Sequence, residues 1–184
     1  MKKLLTTASA ALLLAGIATQ AQAYDGSITF TGNISAVTCT ITAAGGTTTG
    51  SVTLPTVAAS SLPAADKTAG STQFSIALTN CTGGAPAPTQ AATWFEASSD
   101  VTAAGRLKNT GGATGVDVAI YNPNNTDTNF IKIGQGNGSL GSSGIAVPIS
   151  GGNATMTYTA RYYSTAAVVP GTVVAKVNYT IQYQ

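Results

Sequence analysis

The chain has 184 residues, which suits one domain or one domain preceded by a processed segment. Only 8% of the residues are charged, and there is no histidine. Two of the basic residues, Lys2 and Lys3, lie at the N-terminus, and without them acidic and basic residues balance. A neutral chain lacks the basic surface that nucleic-acid binding needs, and the lack of histidine excludes His-based catalysis and His metal ligands. The composition therefore argues against a nucleic-acid-binding protein and against most enzymes, and no cofactor is expected.

The N-terminus has the three parts of a bacterial secretory signal peptide. Two lysines follow Met1, residues 4–18 are apolar, and residues 21–23 match an A-x-A cleavage site. The apolar stretch is too short and broken for a transmembrane anchor, and no later stretch is apolar enough to span a bilayer. We therefore expect a signal peptide over residues 1–23 and export, with cleavage after Ala18 or Ala21 as alternatives.

Cys39 and Cys81 are the only two cysteines. An exported chain reaches an oxidising compartment, where such a pair usually forms a disulfide. Two free thiols or a metal site are the alternatives, but a metal site would need further histidine or cysteine ligands, which the chain lacks. We therefore expect one disulfide and no metal.

The rest of the chain has the alternation of apolar and polar residues that is typical of β-strands. Clusters of Gly, Asn, Ser, Thr and Pro separate the alternating runs, and Ala58–Leu62 suits a short helix. The pattern predicts an all-β sandwich in a single domain. Its predicted strands are, in chain order, Ser27–Ile41, Ser51–Leu54, Phe74–Leu78, Thr93–Glu96, Val116–Ile120, Phe130–Ile133, Ile145–Ile149, Met156–Tyr162 and Val173–Tyr183.

The two ends of the chain carry the most informative strands. The last one alternates up to Gln184, where an immunoglobulin-like sandwich would normally have one more strand to close the sheet edge. The first one begins directly after the predicted cleavage site, with Ile28 and Phe30 on one face. An open edge beside an apolar groove accepts an added strand. From the pattern alone, the N-terminal strand either closes its own sandwich or is donated to a neighbour.

Taken together, several segments of the chain resemble the type 1 family of fimbrial subunits assembled by the chaperone–usher pathway. The C-terminal motif is the most specific, because the family has a penultimate aromatic residue and a glycine fourteenth from the end, which correspond here to Tyr183 and Gly171. The other matching segments are Ile28–Ile34 followed by Cys39, Val52–Val57, Phe74–Thr79 leading to Cys81, Leu107–Gly111, Gly115–Val118, Ala160–Tyr163 and Tyr179–Gln184.

This resemblance implies an incomplete immunoglobulin-like sandwich that lacks its last strand. A periplasmic chaperone would fill the gap first. At the outer-membrane usher, the N-terminal strand of the next subunit would then replace the chaperone strand. Repeated head to tail, this contact makes a homopolymeric fibre, so the resemblance implies an extracellular fimbria on the bacterial surface that supports adhesion.

The resemblance also assigns roles to particular residues. Residues 24–33 would be the donor extension, with Gly26, Ile28 and Phe30 facing a neighbour's groove, and residues 34–184 the body. One face of the last strand would contact the chaperone and the donor strand. This face comprises Gly171, Val173, Ala175, Val177, Tyr179, Ile181 and Tyr183.

Two other functions are compatible with a secreted β-sandwich. One is a single-domain carbohydrate-binding module, in which Trp94, Tyr162 and Tyr163 would supply a sugar platform, although core packing is the simpler role for these aromatics. The other is an enzyme, for which Glu96 and Asp100 are the only close carboxylate pair and more simply lie solvated at a strand end. The fimbrial subunit is the function that we expect, either as the shaft protein or as an adaptor.

Overall fold

A computed structural model describes residues 25–123, 129–135 and 146–184. The predicted signal peptide lies outside these residues. The chain divides into two units, with the boundary between Asn33 and Ile34. The described part contains no helix with the length and hydrophobicity that crossing a bilayer requires.

Residues 25–33, the described part of the first unit, form no helix or strand, and their side chains are exposed. The prediction of a continuous strand over Ser27–Ile41 is therefore wrong for most of its length, since the ladder begins only at Thr38. Alternation predicts which face a segment would bury if it paired, whereas a strand also needs a partner edge.

Residues 34–184 form two antiparallel sheets. One has the order β1-β2-β6-β4 and the other the order β5-β3-β7. A 3-10 turn, Ala59–Ser61, lies in the predicted short helix. The strands described are β1 Thr38–Ala43, β2 Thr68–Thr82, β3 Gln90–Phe95, β4 Thr114–Tyr121, β5 Val147–Pro148, β6 Ala154–Val169 and β7 Tyr179–Tyr183.

The core lies between the two sheets and follows from the alternation in β2, β4 and β6. Leu78 and Met156 are fully buried, and Tyr158 is 1% exposed. Phe95 from the second sheet meets the Tyr158 ring edge to face, with centroids 5.1 Å apart. The alternation thus predicted correctly that Ile76, Leu78, Met156 and Tyr158 are buried. It did not predict that Ala119 and Tyr121, on the opposite face of β4, are buried too.

Four other predicted strands are shorter in the structure or absent. Of Ile145–Ile149 only Val147–Pro148 is a strand, and residue 145 lies outside the described residues. Within Val173–Tyr183 only β7 pairs with a neighbouring strand. Residues 170–178 form no strand. Ser51–Leu54 and Phe130–Ile133 are not strands either. These segments lie beside loops or an open edge and form only isolated backbone bonds, such as that from the Ile131 amide to the Ile120 carbonyl at 2.7 Å.

Candidate functional site

A large apolar groove opens between the edges of the two sheets. β1 is the outermost strand of the first sheet and β7 the outermost strand of the second. The groove has a volume of about 1090 Å³. Its floor is formed by core side chains of both sheets, namely Phe74, Ile76, Phe95, Leu107, Val118, Ile120 and Ala160. Lys176 is the single charged residue among the described residues that line it.

The C-terminal segment forms one wall, and six of its seven predicted contact residues line the groove. They are Val173, Ala175, Val177, Tyr179, Ile181 and Tyr183. All six are half-buried and pack against the core, whereas the residues between them up to Thr180 are exposed. The alternation therefore predicted correctly which side chains share a face.

Gly171, the seventh predicted residue, lies elsewhere. It does not line the groove. Its backbone packs against Gly112 and Ala113, where a Cβ atom at position 171 would stand 2.8 Å from the Ala113 Cα. This glycine permits two backbones to approach closely at the start of the C-terminal wall.

Asn109 anchors that wall, and the sequence analysis gave it no role. Its amide oxygen accepts hydrogen bonds from the amides of Gly111 at 2.8 Å and Val174 at 2.9 Å. Its amide nitrogen donates to the Ala113 carbonyl at 2.8 Å. The neighbouring Thr110 amide donates to the Val174 carbonyl. The sequence did contain a signal for this role, namely an asparagine two residues before Gly111 and Gly112. Asn and Asp side chains in such turns commonly form hydrogen bonds with nearby backbone groups.

The opposite wall consists of the end of β1 and the turn that follows it. The turn is closed by the Ala43 amide, which donates to the Thr47 carbonyl at 2.8 Å. Gly50 packs so closely on the Ala43 carbonyl that any Cβ at position 50 would collide with it. Residues 48–54 then line the groove, with Val52 and Leu54 half-buried against the core.

The two walls leave backbone groups facing the groove. Among the described residues, no backbone hydrogen bond joins the segment 51–57 to residues 173–178. β7 pairs with β3 on one side only, and β1 pairs with β2 on one side only. The walls are thus two sheet edges that an additional strand could pair with.

Two tyrosine side chains cross from β7 to the opposite wall. The Tyr179 hydroxyl donates a hydrogen bond to the Thr48 carbonyl at 2.7 Å. The Tyr183 hydroxyl lies 3.4 Å from the Cys39 sulfur. Burial raises the pKa of both hydroxyls above their ordinary value, so both remain protonated donors at neutral pH.

The predicted disulfide between Cys39 and Cys81 is confirmed. It joins β1 to β2, and the two Cα atoms are 4.1 Å apart. Because Cys39 also contacts Tyr183, the disulfide supports the end of the groove that receives the C-terminal aromatic residue.

The predicted donor residues are exposed in the structure. Ile28 is 81% exposed and Phe30 is 90% exposed, while a Cβ added at Gly26 would meet no atom within 4 Å. Ile34 is 100% exposed and continues the same alternating face. Large aliphatic and aromatic side chains are seldom left this exposed.

The residues of the alternative functions are not assembled into a site. Trp94 lies on β3, whereas Tyr162 on β6 lines the groove. Tyr163 lies on the other face of β6, where its hydroxyl donates a hydrogen bond to Asp66. Both carboxylate oxygens of Glu96 are engaged, by Trp94 Nε1 and by the Thr180 hydroxyl. Within the described residues, no three His, Cys, Asp or Glu side chains are grouped as metal ligands.

Comparison with known proteins identifies the family. Residues 28–184 match the family described as Fimbrial protein. The chain is 39% identical over 175 residues to the major fimbrial subunit SMF-1 of Stenotrophomonas maltophilia, covering 93% of this chain and 99% of that protein. It is 38% identical over 178 residues to the F17 fimbrial protein of Escherichia coli, covering 94% and 95%.

A solved structure of a chaperone–usher pilus shares the fold. Its TM-score is 0.59 at 21% identity, covering 88% of this chain and 96% of that one. The two relatives named above are a major fimbrial subunit and a fimbrial protein. The chain therefore belongs to the fimbrial protein family, as its resemblance to chaperone–usher subunits predicted.

Proposed function

We propose that this chain is a structural subunit of an extracellular fimbria that polymerises by donor-strand exchange. In this proposal residues 1–23 direct export, residues 24–33 are the donor extension and residues 34–184 are the acceptor body. A periplasmic chaperone protects the groove until an outer-membrane usher joins one subunit to the next. The resulting homopolymer is a surface fibre that supports adhesion.

The observation that carries the proposal is the open apolar groove between the edges of β1 and β7. An inserted strand would find unpaired backbone on both sides and an apolar floor beneath it, which are the two requirements of β-strand addition.

The N-terminal segment has the complementary chemistry. Burying the exposed side chains of Ile28 and Phe30 would contribute about 1.5–3 kcal/mol each. The intervening residues Ser27, Thr29, Thr31 and Asn33 are polar and suit the solvent side of an inserted strand. Because the donor and the groove are different surfaces of one chain, their contact is heterologous and generates a fibre.

Two variants separate the donor from the acceptor. Phe30→Asp places a charge on the apolar donor face and leaves the groove intact, whereas Ala175→Trp fills the groove and leaves the donor intact. Each alone should abolish fibres in electron micrographs of cells that also produce the cognate chaperone and usher. Produced together, they should form a heterodimer and nothing longer, because only one productive contact remains.

Thr29→Asp is the matched control, since it adds the same charge to the opposite face of the donor segment and should leave fibres intact. Fibres of normal length from the Phe30→Asp chain would overturn the donor assignment. Normal fibres from the Ala175→Trp chain would overturn the acceptor assignment.

A further inference from the structure

One hydrogen bond ties the two walls of the groove together near its middle. Tyr179 is the first residue of β7 and lies opposite Phe95 of β3. Its hydroxyl donates to the carbonyl of Thr48, in the turn that follows β1. Groove-lining residues of the C-terminal wall lie before and after Tyr179 in the chain, from Val173 to Tyr183. A strand that fills the groove must therefore pass this crossing.

The crossing limits how far the two walls can approach or separate. A strand inserted between two edges lies about 4.8 Å from each, so the edges must stand ~9.6 Å apart. The Tyr179 side chain and its hydrogen bond of 2.7 Å to the Thr48 carbonyl bridge the two walls. The phenol ring is rigid, so it resists approach of the walls, and the hydrogen bond resists their separation.

An empty groove needs such support. Its floor and the half-buried side chains of its walls are apolar, and the hydrophobic effect favours their collapse onto one another. The turn that carries Thr48 is exposed, and residues 51–57 form no backbone hydrogen bond to the opposite wall. Tyr183 crosses at the end of the groove, but its partner is a disulfide sulfur, which is a weak acceptor.

We propose that Tyr179 is a positioning residue that holds the groove open at the width of one strand and so prepares it for the donor. This inference rests on the donor-strand function proposed above. The hydroxyl keeps its bond to Thr48 in both the empty and the filled groove. A collapsed subunit has to reopen before a donor strand can enter, so the fraction of open subunits sets the apparent rate of association.

The test measures association and dissociation of a fluorescent synthetic peptide with the sequence of residues 25–34, using the chain from Tyr24 to Gln184 at low concentration. Tyr179→Phe removes only the hydroxyl and keeps the ring. A single hydrogen bond of ordinary net strength corresponds to about a two- to tenfold change in a rate. We expect the association rate to fall by that factor and the dissociation rate to stay unchanged.

Tyr163→Phe is the matched control, since it removes a tyrosine hydroxyl that bonds Asp66 outside the groove, and its rates should equal those of the unmodified chain. Unchanged or faster association in Tyr179→Phe would overturn the positioning role, as would a change confined to dissociation. Failure of the unmodified chain to bind the peptide, or equal binding of a peptide that carries Phe30→Asp, would overturn the proposed function itself.

Discussion

Gly171 lies against the backbone of Ala113, at the point where the C-terminal wall of the groove begins. The amide of Ala113 donates a hydrogen bond to the carbonyl of Thr172 at 2.9 Å, and a Cβ at position 171 would stand 2.8 Å from the Ala113 Cα. The glycine is therefore required by packing within the subunit, and its position in the family motif reflects how the wall is built.

Gly171→Ala should destabilise the subunit by about 1–3 kcal/mol, because the added methyl group forces the two backbones apart. The free energy of unfolding in urea measures this. Gly112→Ala is the control, since a Cβ there meets only the Thr172 side chain at 3.6 Å and its amide nitrogen at 3.9 Å, both ordinary contact distances. Equal stability of the two variants would contradict the packing role.

Asn109→Ala should loosen the C-terminal wall, since it removes three hydrogen bonds to backbone groups. At about 1 kcal/mol net for each bond, the unfolding free energy should fall by about 2–3 kcal/mol. Asn109→Asp keeps the two acceptor bonds and loses the donor bond to Ala113, so its loss should be smaller. The unfolding free energy should therefore decrease from the unmodified chain to Asn109→Asp and then to Asn109→Ala. A different order would contradict the anchoring role of Asn109.

Loss of the disulfide should lower the amount of subunit that accumulates. The bond closes a loop with a sequence separation of 42 residues, and a cross-link over such a loop stabilises by about 4 kcal/mol. Cys39→Ser with Cys81→Ser tests the cross-link without leaving a free thiol. Unfolding free energies of this double variant and of the oxidised chain should differ by that amount, and a difference near zero would contradict the prediction.

The subunit should lose stability in alkaline solution. Burial raises the pKa of the Tyr158 hydroxyl above its ordinary value of 10.0. In the unfolded chain this group ionises near pH 10, before it does in the folded chain, so above pH 10 the folded state binds more protons and its stability falls. The stabilisation is fully present below pH 10. Measured between pH 8 and pH 11.5, the decline should be shallower in Tyr158→Phe than in the unmodified chain.

The sequence predicted the architecture because strand periodicity is a local property. The alternation in β2, β4 and β6 identified the buried faces, and Val173 to Tyr183 share a face in the structure as they do in the pattern. The disulfide was predictable for a different reason, since Cys39 and Cys81 are the only cysteines and an exported chain meets oxidising conditions.

Strand pairing was less predictable than alternation. Ser27–Ile41 and Val173–Tyr183 have the pattern of long strands, yet the ladders cover only Thr38–Ala43 and Tyr179–Tyr183. Whether an alternating segment becomes a strand depends on which edge lies beside it, and that edge comes from a distant part of the chain.

The sequence by itself therefore determined the fold class, the disulfide and the face of the C-terminal segment, because each follows from residue type and spacing. Only the tertiary structure decided that the groove lies between the edge strands β1 and β7 and that Asn109 anchors the wall beside Val174. It alone also brought the Tyr179 hydroxyl to the Thr48 carbonyl. Those contacts join residues 65 to 131 positions apart, and only the packing of the two sheets places such residues together.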